Sequence, residues 1–171
     1  MSIRKLAALM LLVSGIYANA ETQWESSVAR GNDAYDADNY VIAARFYERA
    51  IEMGCDDGLV HYRLGYSIEQ TAGAEEAFSH YYSAIELLKA QDPSHRYFDS
   101  AIAKVFPPNA DPNGALWGAA DLGLSDLAMM YAQRATNVNS ANRDGITPLH
   151  LAVLNEDPDL IEVLLEHGAR L

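Results

Sequence analysis

The stretch NRDGITPLHLAVLNEDPDLIEVLLEHGA occupies residues 142–169 and decides how the rest of the chain is read. Asp144-Gly145 is a turn signal. Pro148 then stands at the first turn of a helix, where its missing N–H costs nothing. A shift of 33 residues brings Leu116 onto Leu149, Ala119 onto Ala152, Ala132 onto Leu165 and Ala135 onto Gly168. The Asn-rich segment Asn137–Gly145 joins the two copies. A period of this length marks stacked helical units, none of which can bury its apolar face alone.

The hexapeptide Thr147-Pro148-Leu149-His150-Leu151-Ala152, preceded by an asparagine-rich finger and Asp-Gly, resembles the ankyrin repeat. The resemblance implies two units over 114–171. The first is degenerate, with Gly114-Ala115-Leu116-Trp117 in the hexapeptide's place. It implies a structural His150 that bonds its own repeat's threonine and backbone. It also places partner contacts at finger tips and first-helix ends, which nominates Asn142, Arg143, Ile146, Leu154 and Asn155. Ile146 and Leu154 are apolar where solvated residues usually stand, a mild sign of contact.

The first half has a second period. A shift of 34 brings Gly31 onto Gly65, Ala43 onto Ala77, Tyr47 onto Tyr81, and Ala50-Ile51-Glu52 onto Ala84-Ile85-Glu86. Three- and four-residue apolar spacing predicts helices over 23–37, 40–53, 58–71 and 74–90. These residues resemble the tetratricopeptide repeat. The family's first aromatic anchor is replaced by Ser27 and His61, and the closing proline of the first unit by Cys55. The resemblance implies a concave face built from first helices, with Val28, Asn32, Tyr35 and Asp36 in one unit and Tyr62, Tyr66, Glu69 and Gln70 in the next. Tyr62 and Tyr66 share a helix face. They either line a groove for a peptide or pack the core. The lysines with which some family members clamp a terminal carboxylate are missing, so an acidic groove for a neutral or basic segment is expected.

Asp92-Pro93 breaks the chain and offers Ser94 as the N-cap of a further helix, with Tyr97, Phe98, Ala101, Ile102 and Val105 on one face. Pro107–Asn113 reads as a linker. The fold class is therefore all-α: tetratricopeptide-like hairpins and a capping helix over 21–106, then a short ankyrin stack. Two ankyrin units are fewer than the three usually needed. One continuous curved solenoid is expected, with two modules hinged at 107–113 as the alternative. At the far end Leu160, Ile161, Leu164 and Leu165 form a stack edge that can serve as a homodimer contact.

Residues 1–20 read as a cleaved signal peptide: Arg4 and Lys5, a short apolar run, then Ala18-Asn19-Ala20. Export follows, to a periplasm or the extracellular space, with no membrane insertion after cleavage. A formal net charge of −12 argues against nucleic-acid partners. Cys55, the single cysteine, allows no internal disulfide, and its acidic neighbours disfavour a thiolate. Glu76 and His80 have metal-ligand spacing, but no second pair accompanies them in sequence. No catalytic constellation, metal or cofactor is expected. The expected function is a non-catalytic protein-binding scaffold in the cell envelope. The alternative is an inhibitor or immunity-type protein that blocks one exported enzyme.

Overall fold

The computed structural model describes residues 24–170; the proposed signal peptide lies outside them. All regular structure among the described residues is helical. The chain divides into two compact units between Val105 and Phe106.

In the first unit, α1 is helical over 24–36 and is followed by α2 (Tyr40–Glu52), α3 (Gly58–Thr71), α4 (Ala74–Gln91) and α5 (Arg96–Val105). Consecutive helices pack as hairpins, α2 on α3, α3 on α4 and α4 on α5. Local chemistry sets the helix starts. The Asn39 side chain accepts the Ile42 N–H, and that of Asp57 accepts the Leu59 N–H.

The 34-residue period has a steric origin. Tyr47 and Tyr81 are buried rings from second helices, and each lies against the glycine of the preceding helix. A Cβ on Gly31 would approach Tyr47 Cε1 to 2.6 Å, and one on Gly65 would approach Tyr81 Cδ1 to 3.1 Å. Glycine lets the helices close until the ring fills the crossing, and Ala43, Ala50, Ala77 and Ala84 are fully buried beside it.

The turn before α5 departs from the sequence reading. Ser94 is not the N-cap. Its N–H and Oγ both donate to Asp92 Oδ1, at 3.1 and 2.6 Å, so the serine closes a turn instead. The helix starts at Arg96, and His95 Nδ1 accepts the Tyr97 N–H.

The second unit contains α6 (Pro112–Asp121), α7 (Ser125–Ala132), α8 (Pro148–Leu154) and α9 (Pro158–Glu166). Phe106 belongs here, its ring 6.3 Å from that of Tyr131. Pro112 and Asn113 lie inside α6 rather than in a linker, because Asp111 accepts the Gly114 N–H and Pro112 opens the helix. The hairpins α6–α7 and α8–α9 stack, α6 on α8 and α7 on α9. Leu116, Leu149, Leu160 and Leu164 fill the space between. Asn155 Nδ2 donates to the Ala120 carbonyl across the stack at 2.8 Å.

Candidate functional site

The first-helix face of unit one is a tyrosine surface. Tyr35, Tyr40 and Tyr66 are half-buried, and their ring centroids form a near-equilateral triangle of 5.6–5.7 Å with tilted and edge-on contacts. Tyr40 comes from the first turn of α2 and was not anticipated. Its partner spacing crosses from one helix to the next, which helix periodicity does not reveal. The Tyr40 hydroxyl donates to Asp38 at 2.6 Å. That bond favours the neutral phenol and pushes the Tyr40 pKa up to about 12.

Tyr62 has the packing role. It is 7% exposed, with its ring 4.6 Å from Tyr97 and 5.5 Å from Tyr81. Its face is covered by α5, so it is removed from the surface that Tyr66 shares. Asn32 is also committed: its carbonyl oxygen accepts from the Tyr47 hydroxyl at 2.8 Å and from Arg63 Nη1. Val28 packs on the core, whereas Asp36 and Gln70 are exposed.

Two cations stand among the groove's acids. Arg63 lies 5.3 Å from the Tyr35 centroid, and Lys104, from α5, pairs with Glu69 at 2.6 Å. Tyr81 donates to the same carboxylate at 2.6 Å. Burial alone would raise the Glu69 pKa; the bonds from Lys104 and Tyr81 outweigh it and hold the group below its usual value. Glu69 is therefore a neutralised structural acid, not a free partner charge.

In unit two, Thr147 Oγ1 and His150 Nδ1 lie 2.7 Å apart and cap α8 reciprocally, which gives His150 its expected structural role. Asn142 Oδ1 accepts from the Asp144 and Ile146 N–H groups and shapes its own finger. Arg143 is exposed, Ile146 is half-buried, and Leu154 is 72% exposed beside Val153. At the far edge Leu160 and Leu164 are buried, while Leu165 is 54% exposed. Trp117 donates through Nε1 to the Ile146 carbonyl at 2.9 Å. It borders an open cleft of about 490 Å³ with Asp111, Gly114 and Asn142.

Cys55 is buried, and burial, ahead of its acidic neighbours, raises its thiol pKa. His80 faces His61, ring centroids 6.3 Å apart. Among the described residues no group of three or more His, Cys, Asp or Glu side chains is placed to hold a metal. Among them, too, no helix is long and apolar enough to cross a membrane.

The ankyrin repeat family model matches residues 144–171. That segment is an ankyrin repeat. It carries the Asp144-Gly145 end of the finger, the Thr-Pro cap and both helices of the second hairpin. Ankyrin repeat domain-containing protein 49 of Bos taurus is 39% identical over 54 residues, 32% of this chain and 23% of that protein. Ankyrin repeat and SOCS box protein 6 of Mus musculus is 40% identical over 58 residues, 33% of this chain and 14% of that protein. The chain thus spans about a quarter or less of these two relatives. No solved structure matches it significantly. Ankyrin-repeat proteins generally act through protein–protein contacts, and the relatives are similar to this chain in that repeat.

Proposed function

We propose that this chain is a non-catalytic scaffold that binds a segment of another protein, and that residues 1–20 export it to the cell envelope. The tyrosine triangle on the first-helix face carries the reading. Tyr35, Tyr40 and Tyr66 meet each other at 5.6–5.7 Å yet remain half-buried, whereas Tyr47 and Tyr81 are taken into the core. Rigid aromatic side chains with polar tips give large contact area at low entropic cost. Exposed Asp36 and Asp38 flank them. The face suits a segment with apolar and basic side chains and no surplus of acids. The tetratricopeptide-like period of the helices and the ankyrin repeat after them both support protein recognition.

The test uses the protein as bait against an envelope extract, beside a Tyr40→Ser, Tyr66→Ser variant of unchanged circular dichroism. A protein held by the wild type and lost by the variant is the expected result. Equal capture by both overturns the tyrosine face as the site. No specific capture by either overturns the scaffold reading. Export is tested separately by cell fractionation; a cytoplasmic chain that keeps its first twenty residues overturns it.

A further inference from the structure

The two ankyrin hairpins differ at corresponding positions, and the difference opens a cleft. At the 33-residue shift, Gly114 stands where Thr147 does and Trp117 where His150 does. In the second hairpin the threonine and histidine close on each other at 2.7 Å. The first hairpin has no side chain at 114. Its indole bonds forward instead, to the Ile146 carbonyl of the next finger at 2.9 Å. The result is the open cleft of about 490 Å³ beside α6, a volume in the range of ligand sites.

The walls are fixed and their polar groups mostly used. Asn113 Oδ1 accepts the Asn137 N–H at 3.0 Å. Asn142 Oδ1 takes the Asp144 and Ile146 N–H groups at 3.0 and 2.9 Å. The Ser140 hydroxyl donates to the Asn137 carbonyl at 3.0 Å. Asp111 gives only Oδ2 to the Gly114 N–H, at 2.8 Å. Among the described residues its Oδ1 has no hydrogen-bond partner and its carboxylate no ion pair. An indole pinned by its own hydrogen bond and a spare carboxylate oxygen therefore border one cleft. From residue 106 onward the chain has nine acidic and three basic side chains, so the surrounding field favours a cation.

We propose that this cleft receives one arginine side chain from an extended segment of a protein partner. The guanidinium stacks on the face of Trp117 and donates to Asp111 Oδ1. Arginine fits better than lysine because its plane can stack and hydrogen-bond at once, whereas an ammonium is a strongly hydrated point charge. The cleft is open to solvent, which leaves room for the segment's backbone. This inference rests on the reading of the chain as a binder of protein segments, but it uses a surface of its own.

The test is NMR on the ¹⁵N-labelled full chain, titrated with the blocked tripeptide acetyl-Gly-Arg-Gly-amide. Versions with lysine and with uncharged citrulline in the arginine's place run alongside. The chain's two tryptophans give two indole N–H signals, assigned with Trp117→Phe, and Trp24 serves as the internal reference. The Trp117 signal is expected to move saturably with the arginine peptide while Trp24 stays still. Lysine should bind more weakly, and citrulline about tenfold more weakly or worse, since a charge-assisted bond is roughly twice a neutral one. Asp111→Asn keeps an N-cap acceptor but loses the charge, and should weaken arginine about tenfold as well. Gly114→Ala adds a Cβ about 3.3 Å from Asp111 Oδ2 and should also weaken it.

Failure of the arginine peptide to move Trp117 saturably overturns the proposal. So does equal affinity for lysine or citrulline, or wild-type affinity in a folded Asp111→Asn chain. Should that variant not fold, wild-type affinity in Gly114→Ala overturns it instead. None of these failures touches the tyrosine face, which is read by Tyr40 and Tyr66 in a different assay.

Discussion

Gly31 and Gly65 hold the same place in two repeats, yet the gap beside them differs. Alanine at Gly31 would put Cβ 2.6 Å from a fully buried ring, whereas at Gly65 the nearest approach is 3.1 Å. Alanine also gains about 1 kcal/mol of helix propensity over glycine. Overpacking a core costs roughly 1–3 kcal/mol, so Gly31→Ala should lose about 1–2 kcal/mol net. Gly65→Ala should come out near neutral, and urea midpoints that rank the two the other way would contradict this packing account. A second residue-scale effect involves His61 and His80. Burial lowers both pKa values, and the neighbouring His80 ring lowers that of His61 further. Asp56 and Asp57 oppose the shift at His61, and Glu48 opposes it at His80. His61 Nδ1 is buried without a hydrogen-bond partner, so burial is not compensated there. The unfolded histidines take up protons near pH 6.5, before the folded ones do. Their contribution to stability is fully present above about pH 6.5 and is lost as the pH falls through it. Urea melts from pH 7.5 to 5.5 should show that loss, and a His61→Gln, His80→Gln variant should flatten it. An unchanged slope in the variant would assign the loss to other groups.

Short helices depend on their turns. The turns inside the two hairpins place Gly123 at φ 59° and Glu156 at φ 54°, 33 residues apart and in the same left-handed region. Glycine reaches it without penalty, whereas another L-residue pays about 1–2 kcal/mol. Glu156→Gly should therefore stabilise the chain by roughly 0.5–1 kcal/mol once the glycine's greater unfolded freedom is deducted. Gly123→Glu should do the reverse by a similar amount. Thermal melts of the pair check the sign, and a destabilising Glu156→Gly would mean that the glutamate makes a contact outweighing its strain. The elements themselves were largely legible. The helix predicted at 58–71 is Gly58–Thr71, and Pro148 opens α8 as its missing N–H allows. Ser94 misled because a serine two residues after an aspartate has two structures open to it, a cap or an Asx turn, and the choice depends on neighbours in space. Pro112 misled because prolines mark both linkers and first turns of helices; Asp111 decided which.

At the scale of the whole chain, the repeats were readable because small residues and tyrosines recur at fixed intervals. Periodicity says which residues share a face, but not which face a neighbour covers. Tyr62 and Tyr66 illustrate the limit: four residues apart on α3, one lies under α5 and the other joins Tyr35 and Tyr40. The neutralisation of Glu69 by Lys104 spans 35 residues, and no local pattern records it. Charge, by contrast, is a property of the full composition. With 24 acidic and 12 basic side chains, the folded chain concentrates negative charge that the unfolded chain spreads out. The Lys104–Glu69 ion pair at 2.6 Å offsets one part of that repulsion, against a surplus of twelve acids. Salt screens like charges over about 10 Å at 0.1 M. Raising NaCl from about 10 to 300 mM at pH 7.5 should relieve repulsion by around 1 kcal/mol and raise the Tm by about 2–4 °C. A matched osmolarity of sucrose separates this from general exclusion effects, since sucrose carries no screening. A Tm that falls with salt would mean that attractive pairs, not surplus acid, dominate the electrostatics of the fold. The same screening should weaken the arginine peptide at the Trp117 cleft, so stability and binding are expected to move in opposite directions as salt rises.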